Sequence, residues 1–464
     1  MGNLIRFGTD GWRARADGDF NETNVARVAE ALGRIWEQRY PAATVYVGFD
    51  TYGSAQNFAR FAGESLAVYN LKIKIFKMPA PISALGWTIA QDSDCCGGIM
   101  ITASTKRRET MCFKIRLANG VISNEDFTNE LENEIAPVPN GLQDTIESVS
   151  CMPAYLEHLM SLVDKDSIKQ AHLKVVHDAM YGGSAPYLQQ MLEKMGVECI
   201  GIHSPTSENQ TDLDPDPVEP WVDECEQVVV ATKAMAGLIN DGDGDRVGAV
   251  DENGHFVSPQ KIIALLIGHL VKNKHMKGYV VLSRSTSIQA RRTAEALWLP
   301  VRITSIGFKE IHKVVCKGGV LIAGEESGGI CIPEHMTERD GLFVHLLICE
   351  LMAMTGKTLG ELVAQLDQQT GKACYARRDI DASAVRIETL RNILPGMNPP
   401  MIDGVTPVDV SHKDGMWLEF PDESWLLVRI SGTKDIIRVY AEGPTIEKRD
   451  ALLEAGVEIA NDNY

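Results

Sequence analysis

The ten cysteines include no CxxC pair, and only Cys95 and Cys96 are adjacent, so the sequence indicates neither a zinc site nor a disulfide framework. They read as reduced, mostly buried thiols. No stretch approaches the roughly 18 consecutive apolar residues of a membrane span. The most apolar run, GLFVHLLICELMAM, is interrupted by His345 and Glu350. The leading MGNLIRFGTDGWRARADGD is charged and Gly-rich, without the apolar core of a signal peptide. Positive charge is scarce as well: 45 Lys and Arg face 63 Asp and Glu, a formal net charge of -18. That balance opposes general attraction to nucleic acid or anionic membrane, so any anionic ligand must be drawn in by a local basic pocket. Short-period repeats and low-complexity tracts are absent. The expectation is a cytoplasmic protein with neither nucleic acid nor membrane as a partner, a monomer or a homodimer.

What is present is ordinary globular material, 44% hydrophobic and 23% charged over 464 residues, enough for three or four domains with separate cores. Helical apolar spacing in NVARVAEALGRIWEQRY and FARFAGESLAVYN alternates with the short β-type runs TVYVGFD and LKIKIF. The pattern recurs in LKVVHDAM with APYLQQMLEKMG, and in GYVVLSRS, SIQARRTAEALWL and VRITSI. Three α/β units with largely parallel sheets follow. From about Val405 the texture changes to alternating runs separated by turn dipeptides and ending in the helical TIEKRDALLEAGVEIAN, which predicts a small α+β domain with antiparallel strands. Polar, Gly- and Pro-bearing breaks place domains at 1–145, 146–254, 255–370 and 371–464.

Four loops carry chemistry. In LINDGDGDRVGAVDENG an apolar run ends in Asp241, Asp243 and Asp245, interleaved with glycines and followed by Arg246. Carboxylates on alternate residues of a tight turn converge, and two like charges 4 Å apart repel by about 4 kcal/mol at an effective dielectric of 20. A divalent ion removes that conflict, and three carboxylates with room for water or a phosphate oxygen suit Mg²⁺. A solvated Asp-Gly turn and a Ca²⁺ loop are the alternatives, although the later glutamate of an EF-hand is missing. In RISGTKDIIRVYAE, Arg429, Ser431, Gly432 and Thr433 offer a guanidinium, two hydroxyls and backbone amides, which are phosphate-binding groups; a hairpin turn with a surface arginine reads the same way. Glu325 and Ser327 in IAGEESGGICIPEHMTERDG pair a carboxylate with a hydroxyl, a grip for vicinal sugar hydroxyls or simply an acidic Gly-rich turn. In GGIMITASTKRRETMCFK, Ser104 ends an apolar strand and is trailed by Lys106, Arg107, Arg108 and Lys114. It suits a nucleophile, or a helix N-cap beside a solvated basic face. No G-x-S-x-G elbow is present.

The four loops occur in order, one per expected domain. With RFGTDGWRA, GIMITAS, NDGDGDR, GEESGG and RISGTKDIIRVYAE in that order, essentially the whole chain resembles the α-D-phosphohexomutase family of phosphoglucomutases and phosphomannomutases. The resemblance implies three similar α/β/α domains in series plus a fourth, antiparallel α+β domain around a central cleft. It implies a phosphoserine that passes its phosphoryl group to a hexose monophosphate, most like glucose phosphate, with Mg²⁺ and with hexose 1,6-bisphosphate as intermediate and activator. On that pattern Ser104 is the phosphorylated residue and completes the metal site of Asp241, Asp243 and Asp245. Arg13, Lys114 and Arg246 line the reacting phosphate, with Lys114 as general acid/base, its proton affinity lowered by neighbouring cations. Glu325, Ser327, Lys309 and Arg339 hold the sugar, and Arg429, Ser431, Gly432 and Thr433 clamp the other phosphate. Arg339 also reads as a surface ion pair. The chain departs from the family where TASHNP is usual: Thr105, Lys106 and Arg107 replace His-Asn-Pro, and Met111 and Cys112 stand in MCFK where NGFK is common. A second reading is therefore kept beside the enzyme, a non-catalytic paralogue that binds sugar phosphates as a sensor or scaffold.

Overall fold

The computed structural model describes residues 5–105, 109–204, 213–431 and 436–461. The chain divides into two compact units, Met1–Ile262 with Ser327–Glu361, and Ile263–Glu326 with Leu362–Tyr464.

The first unit contains two sheets. In the first, Cys95–Thr102, Thr44–Phe49, Lys72–Phe76 and Ile146–Val149 run parallel in that spatial order. The strands Thr110–Leu117, Gly11–Arg15 and Phe7–Gly8 extend the sheet antiparallel from the Cys95–Thr102 edge. Thr44–Phe49 and Cys95–Thr102 are buried at every position, which explains their continuous apolar runs. Helix Glu22–Arg39 begins at Asn21, whose side chain accepts from the Asn24 amide, and buries one face including Val28, Leu32 and Trp36 against this sheet's core. In the second sheet Lys174–Asp178 is flanked in parallel by Glu198–Ile202 and Ala236–Asn240, and the latter turns back into Val247–Asp251.

Helix Gly341–Thr355 contains the interrupted apolar run, and the two interruptions, His345 and Glu350, are buried with partners. His345 Nε2 lies 3.1 Å from the Ile239 carbonyl, and Glu350 accepts from the Asp164 amide at 2.7 Å. No single helix among the described residues is long and apolar enough to cross a membrane.

In the second unit Tyr279–Ser283 is flanked in parallel by Val301–Thr304 and Val320–Gly324. The C-terminal sheet is antiparallel throughout: Cys374–Asp381, Ile436–Gly443, Trp425–Ile430, Met416–Glu419 and Asp409–Ser411 follow one another in space, and helix Ile446–Ala460 packs on its apolar face. Three α/β/α domains followed by an antiparallel α+β domain are thus the observed fold class.

Candidate active site

Two hairpins of the first unit meet at the site. The first pairs Cys95–Thr102 with Thr110–Leu117, setting Thr102 opposite Cys112 and Met100 opposite Lys114. Ser104 lies just past the end of this ladder, is buried, and has a left-handed φ of 53°. Asp50 fixes that bend. Its Oδ2 accepts from Thr102 Oγ1 at 2.6 Å and the Ala103 amide at 2.9 Å, while Thr102 Oγ1 accepts from the Ser104 amide at 2.8 Å. Burial pushes the Asp50 carboxyl up to about 7, against the pull of these hydrogen bonds.

The second hairpin joins Ala236–Asn240 to Val247–Asp251 and carries the acidic loop. The Ile82 amide donates to the Asp243 carbonyl at 2.9 Å and the Gly341 amide to the Gly244 carbonyl at 3.0 Å, so two helix N-termini hold this loop's backbone. Gly242 is required by proximity: a Cβ there would lie 2.4 Å from the Ser104 carbonyl oxygen. A side chain on Gly242 would push the acidic loop off the serine loop.

Asp241, Asp243 and Asp245 are fully buried and each offers an oxygen within 4.8 Å of the others. Asp241 Oδ2, Asp243 Oδ1 and Asp245 Oδ1 accept no hydrogen bond. Burial and the charges of Asp243 and Asp245 drive the Asp241 carboxyl well above the usual range. Three convergent, unsatisfied carboxylate oxygens with this repulsion fit one hard divalent cation.

Lys114 joins the hairpins. Its Nζ lies 2.6 Å from Asp243 Oδ2, 3.0 Å from Asp10 Oδ2 and 3.3 Å from Ser104 Oγ. The expected lowering of its proton affinity by cations is overturned. Burial alone would lower it, but the carboxylates of Asp10 and Asp243 outweigh burial and hold the ammonium well above the ordinary lysine range. Burial likewise works against ionisation of Asp243, and Lys114 overcomes it, holding that carboxyl down.

Asp10 is one of the residues that sequence reasoning missed. It sits in the turn between Phe7–Gly8 and Gly11–Arg15, and takes Lys114, Arg116 Nη1 and Arg339 Nη2 at 3.0 Å each. Arg116, two residues beyond Lys114 on the same strand face, was missed as well, although strand periodicity alone was enough to find it. Arg339, which also reads as a surface pair, is buried and reaches Asp245 Oδ2 at 2.8 Å. It stands directly before Asp340, the N-cap whose side chain accepts from the Phe343 amide. Arg246 donates its amide to Asp241 Oδ1 at 3.0 Å, and its guanidinium lies about 4.0 Å from Asp241 and Asp245. Arg13 is exposed on Gly11–Arg15, opposite Cys112. Ser327 is half-buried where the chain re-enters the first unit.

The remaining expected residues lie in the second unit. Glu325 is buried directly after strand Val320–Gly324, and Lys309 is half-buried in helix Phe308–Val315. Arg429, on Trp425–Ile430, faces Arg438 across the ladder, a pair that the spacing in RISGTKDIIRVYAE did not reveal. Ser431 is buried and donates its amide to the Ile436 carbonyl at 3.0 Å. Gly432 and Thr433, like Lys106 and Arg107, lie outside the described residues.

Models of phosphoglucomutase/phosphomannomutase domains match almost end to end: α/β/α domain I over residues 4–140, domain II over 153–254, domain III over 258–369 and the C-terminal domain over 402–458. The chain belongs to the phosphoglucomutase/phosphomannomutase family. It is 26% identical to a phosphoglucomutase/phosphomannomutase of Thermococcus kodakarensis, covering 99% of this chain and 98% of that one. It is 27% identical to a phosphoglucosamine mutase of Moorella thermoacetica, covering 99% of each. A crystal structure described as a phosphomannomutase from Thermus thermophilus superposes with a TM-score of 0.89 at 29% identity, covering 99% of this chain and all of the other. The family is one of intramolecular phosphotransferases of carbohydrate metabolism, and these relatives differ in the sugar named.

Proposed function

We propose that this protein interconverts hexose 1-phosphate and hexose 6-phosphate, with glucose as the sugar, through a phosphoserine at Ser104 and a hexose 1,6-bisphosphate. The observation that carries the proposal is Ser104 Oγ held 3.3 Å from an ammonium that itself bridges to a buried carboxylate of the acidic triplet. Asp241, Asp243 and Asp245 would hold Mg²⁺, which supplies Lewis-acid neutralisation of the transferring phosphoryl group.

The chain's own groups do the rest. The Oγ–P bond at Ser104 breaks as a sugar hydroxyl oxygen bonds to phosphorus. Lys114 Nζ, charged at rest between two carboxylates, gives a proton to the departing Oγ and regains one from the sugar hydroxyl, so no net proton is lost. Arg13 and Arg246 offset charge on the phosphoryl oxygens. Arg339, Lys309, Glu325 and Ser327 orient the sugar, and Arg429, Ser431, Gly432 and Thr433 take the phosphate that is not reacting.

The test is a coupled assay on the 1-phosphates of glucose, mannose and glucosamine, run with intact-mass analysis of the protein. Mg²⁺-dependent formation of glucose 6-phosphate, with one phosphate on Ser104 and loss of both in Ser104→Ala, is the expected result. Sugar-phosphate binding without turnover or Ser104 phosphate would replace the mutase by a sensor, and faster turnover of another sugar would replace glucose.

A further inference from the structure

The first unit holds a second concavity, a cavity of about 600 Å³ lined by no residue of the site above. That volume lies within the roughly 300–1,000 Å³ of small-molecule sites. Its walls come from the end of strand Lys72–Phe76, helix Met152–Ser161 and helix Tyr187–Lys194, and Tyr187 ties them by donating to the Pro79 carbonyl at 2.7 Å. Phe76, Met152, Leu156, Met160 and Tyr187 make the lining apolar, and Met78 at its edge is 59% exposed. Thioethers adapt their shape to a ligand at little cost, and three of them, Met78, Met152 and Met160, line this cavity.

Charge selects the ligand. Lys77, Lys165 and Lys194 line the cavity with Glu157 as the only acid. All three lysines are exposed, in a chain whose net charge is -18. A local excess of cations around an apolar floor, against an acidic background, complements a molecule with an apolar body and an anionic head.

We propose that this cavity binds an amphipathic small-molecule anion, an acyl or aryl chain ending in a carboxylate or phosphate. The proposal does not depend on the mutase reading, and its test uses no turnover. Cys151 lines the cavity and is half-buried, whereas Cys316 is exposed in the second unit. The two thiols therefore report occupancy and background in one sample. Burial raises the Cys151 thiol, so iodoacetamide labelling of the full chain is followed at pH 9 by peptide mass spectrometry.

Laurate below its micellar concentration should slow labelling of Cys151 and leave Cys316 unchanged. Dodecyltrimethylammonium, with the same chain and opposite charge, should need at least ten times the concentration. The surface triple variant Lys77→Glu, Lys165→Glu, Lys194→Glu should weaken laurate protection at least tenfold. No protection by laurate, equal protection by the two amphiphiles, or equal protection by inorganic phosphate alone would overturn the proposal.

Discussion

The two hairpins of the candidate site are built alike and charged oppositely. One, Cys95–Thr102 with Thr110–Leu117, presents a serine and the cations Lys114 and Arg116. The other, Ala236–Asn240 with Val247–Asp251, presents three carboxylates. Each would be costly to bury alone, since an isolated ionised group in a low-dielectric interior loses several kcal/mol of hydration. Packed together they neutralise each other through Lys114 and Asp243, and Asp10 supplies the anion that the cationic hairpin still lacks. They also differ in sequence. The acidic loop retains the family string, whereas the serine loop has Thr105, Lys106 and Arg107 in place of His-Asn-Pro. On the proposed roles, carboxylates that converge on one cation tolerate little change in ligand type, whereas the residues after Ser104 can exchange one source of positive charge for another.

The sharpest break of this pairing is Asp243→Asn. It removes both a proposed metal ligand and one of the two carboxylates that hold Lys114, leaving Asp10 as the remaining one. We expect kcat to fall by more than about 10³-fold and Mg²⁺ binding measured by calorimetry to disappear. Retained Mg²⁺ affinity with lost activity would assign Asp243 to Lys114 alone.

Asp10→Asn attacks the other side of Lys114. The three cations keep a neighbour of the same shape but lose its charge, so Lys114 and Arg339 lose their common anchor. The expected outcome is a fall in kcat of about 10², or about 2.7 kcal/mol, with KM changed less than about threefold, because alignment of the proton donor matters chiefly in the transition state. Asp10→Glu should recover part of the loss. An equal rise in KM would place Asp10 in substrate binding.

A smaller effect is expected from the divergent loop. Replacing Thr105, Lys106 and Arg107 by His-Asn-Pro restores an additional proton carrier and a stiffer turn, and about a tenfold gain in kcat on glucose 1-phosphate follows if the present loop is a slowed version. A fall in kcat would mean that Lys106 and Arg107 already do this work. Intact mass of both proteins distinguishes a change in turnover from a change in Ser104 phosphorylation.

These contrasts also explain what could be read from sequence. The acidic triplet was legible because its geometry is local: alternate residues of one turn already face the same way, and a glycine between them permits the close approach. The three α/β units were legible from helical spacing alternating with short β-type runs, as in NVARVAEALGRIWEQRY followed by TVYVGFD, and the antiparallel C-terminal sheet from short runs separated by turn dipeptides. The surroundings of Lys114 were not. Its basic neighbours in sequence suggested a cationic setting, but the residues that touch it, Asp10 and Asp243, arrive through strand pairing and loop packing from far along the chain. Asp50 was hidden for the same reason, since nothing local in TVYVGFD tells that its final carboxylate grips the serine loop. His345 and Glu350 look like interruptions in an apolar run, yet each is buried on a backbone partner.

An acid–base pair outside both hairpins provides the mildest test of the principle that a buried charge persists only beside its counter-charge. His203 Nδ1 lies 2.9 Å from Asp178 Oδ1, and its Nε2 lies 2.9 Å from Glu224 Oε2. Burial alone would lower its affinity for a proton, but the two carboxylates prevail and raise the imidazolium to about 9. Because the folded value exceeds the unfolded value near 6.5, the contribution to stability is fully present below pH 6.5 and is lost as pH rises through about 9. The full shift corresponds to about 3 kcal/mol, and solvent screening around the exposed Glu224 reduces the expected effect to about 1 kcal/mol. The measurement is denaturant unfolding of wild type and His203→Gln at pH 6 and pH 10. The variant should be less stable by about 1 kcal/mol at the lower pH, with the difference vanishing at the higher one. A difference that is the same at both values would mean that His203 acts through packing against Tyr181 and not through its charge.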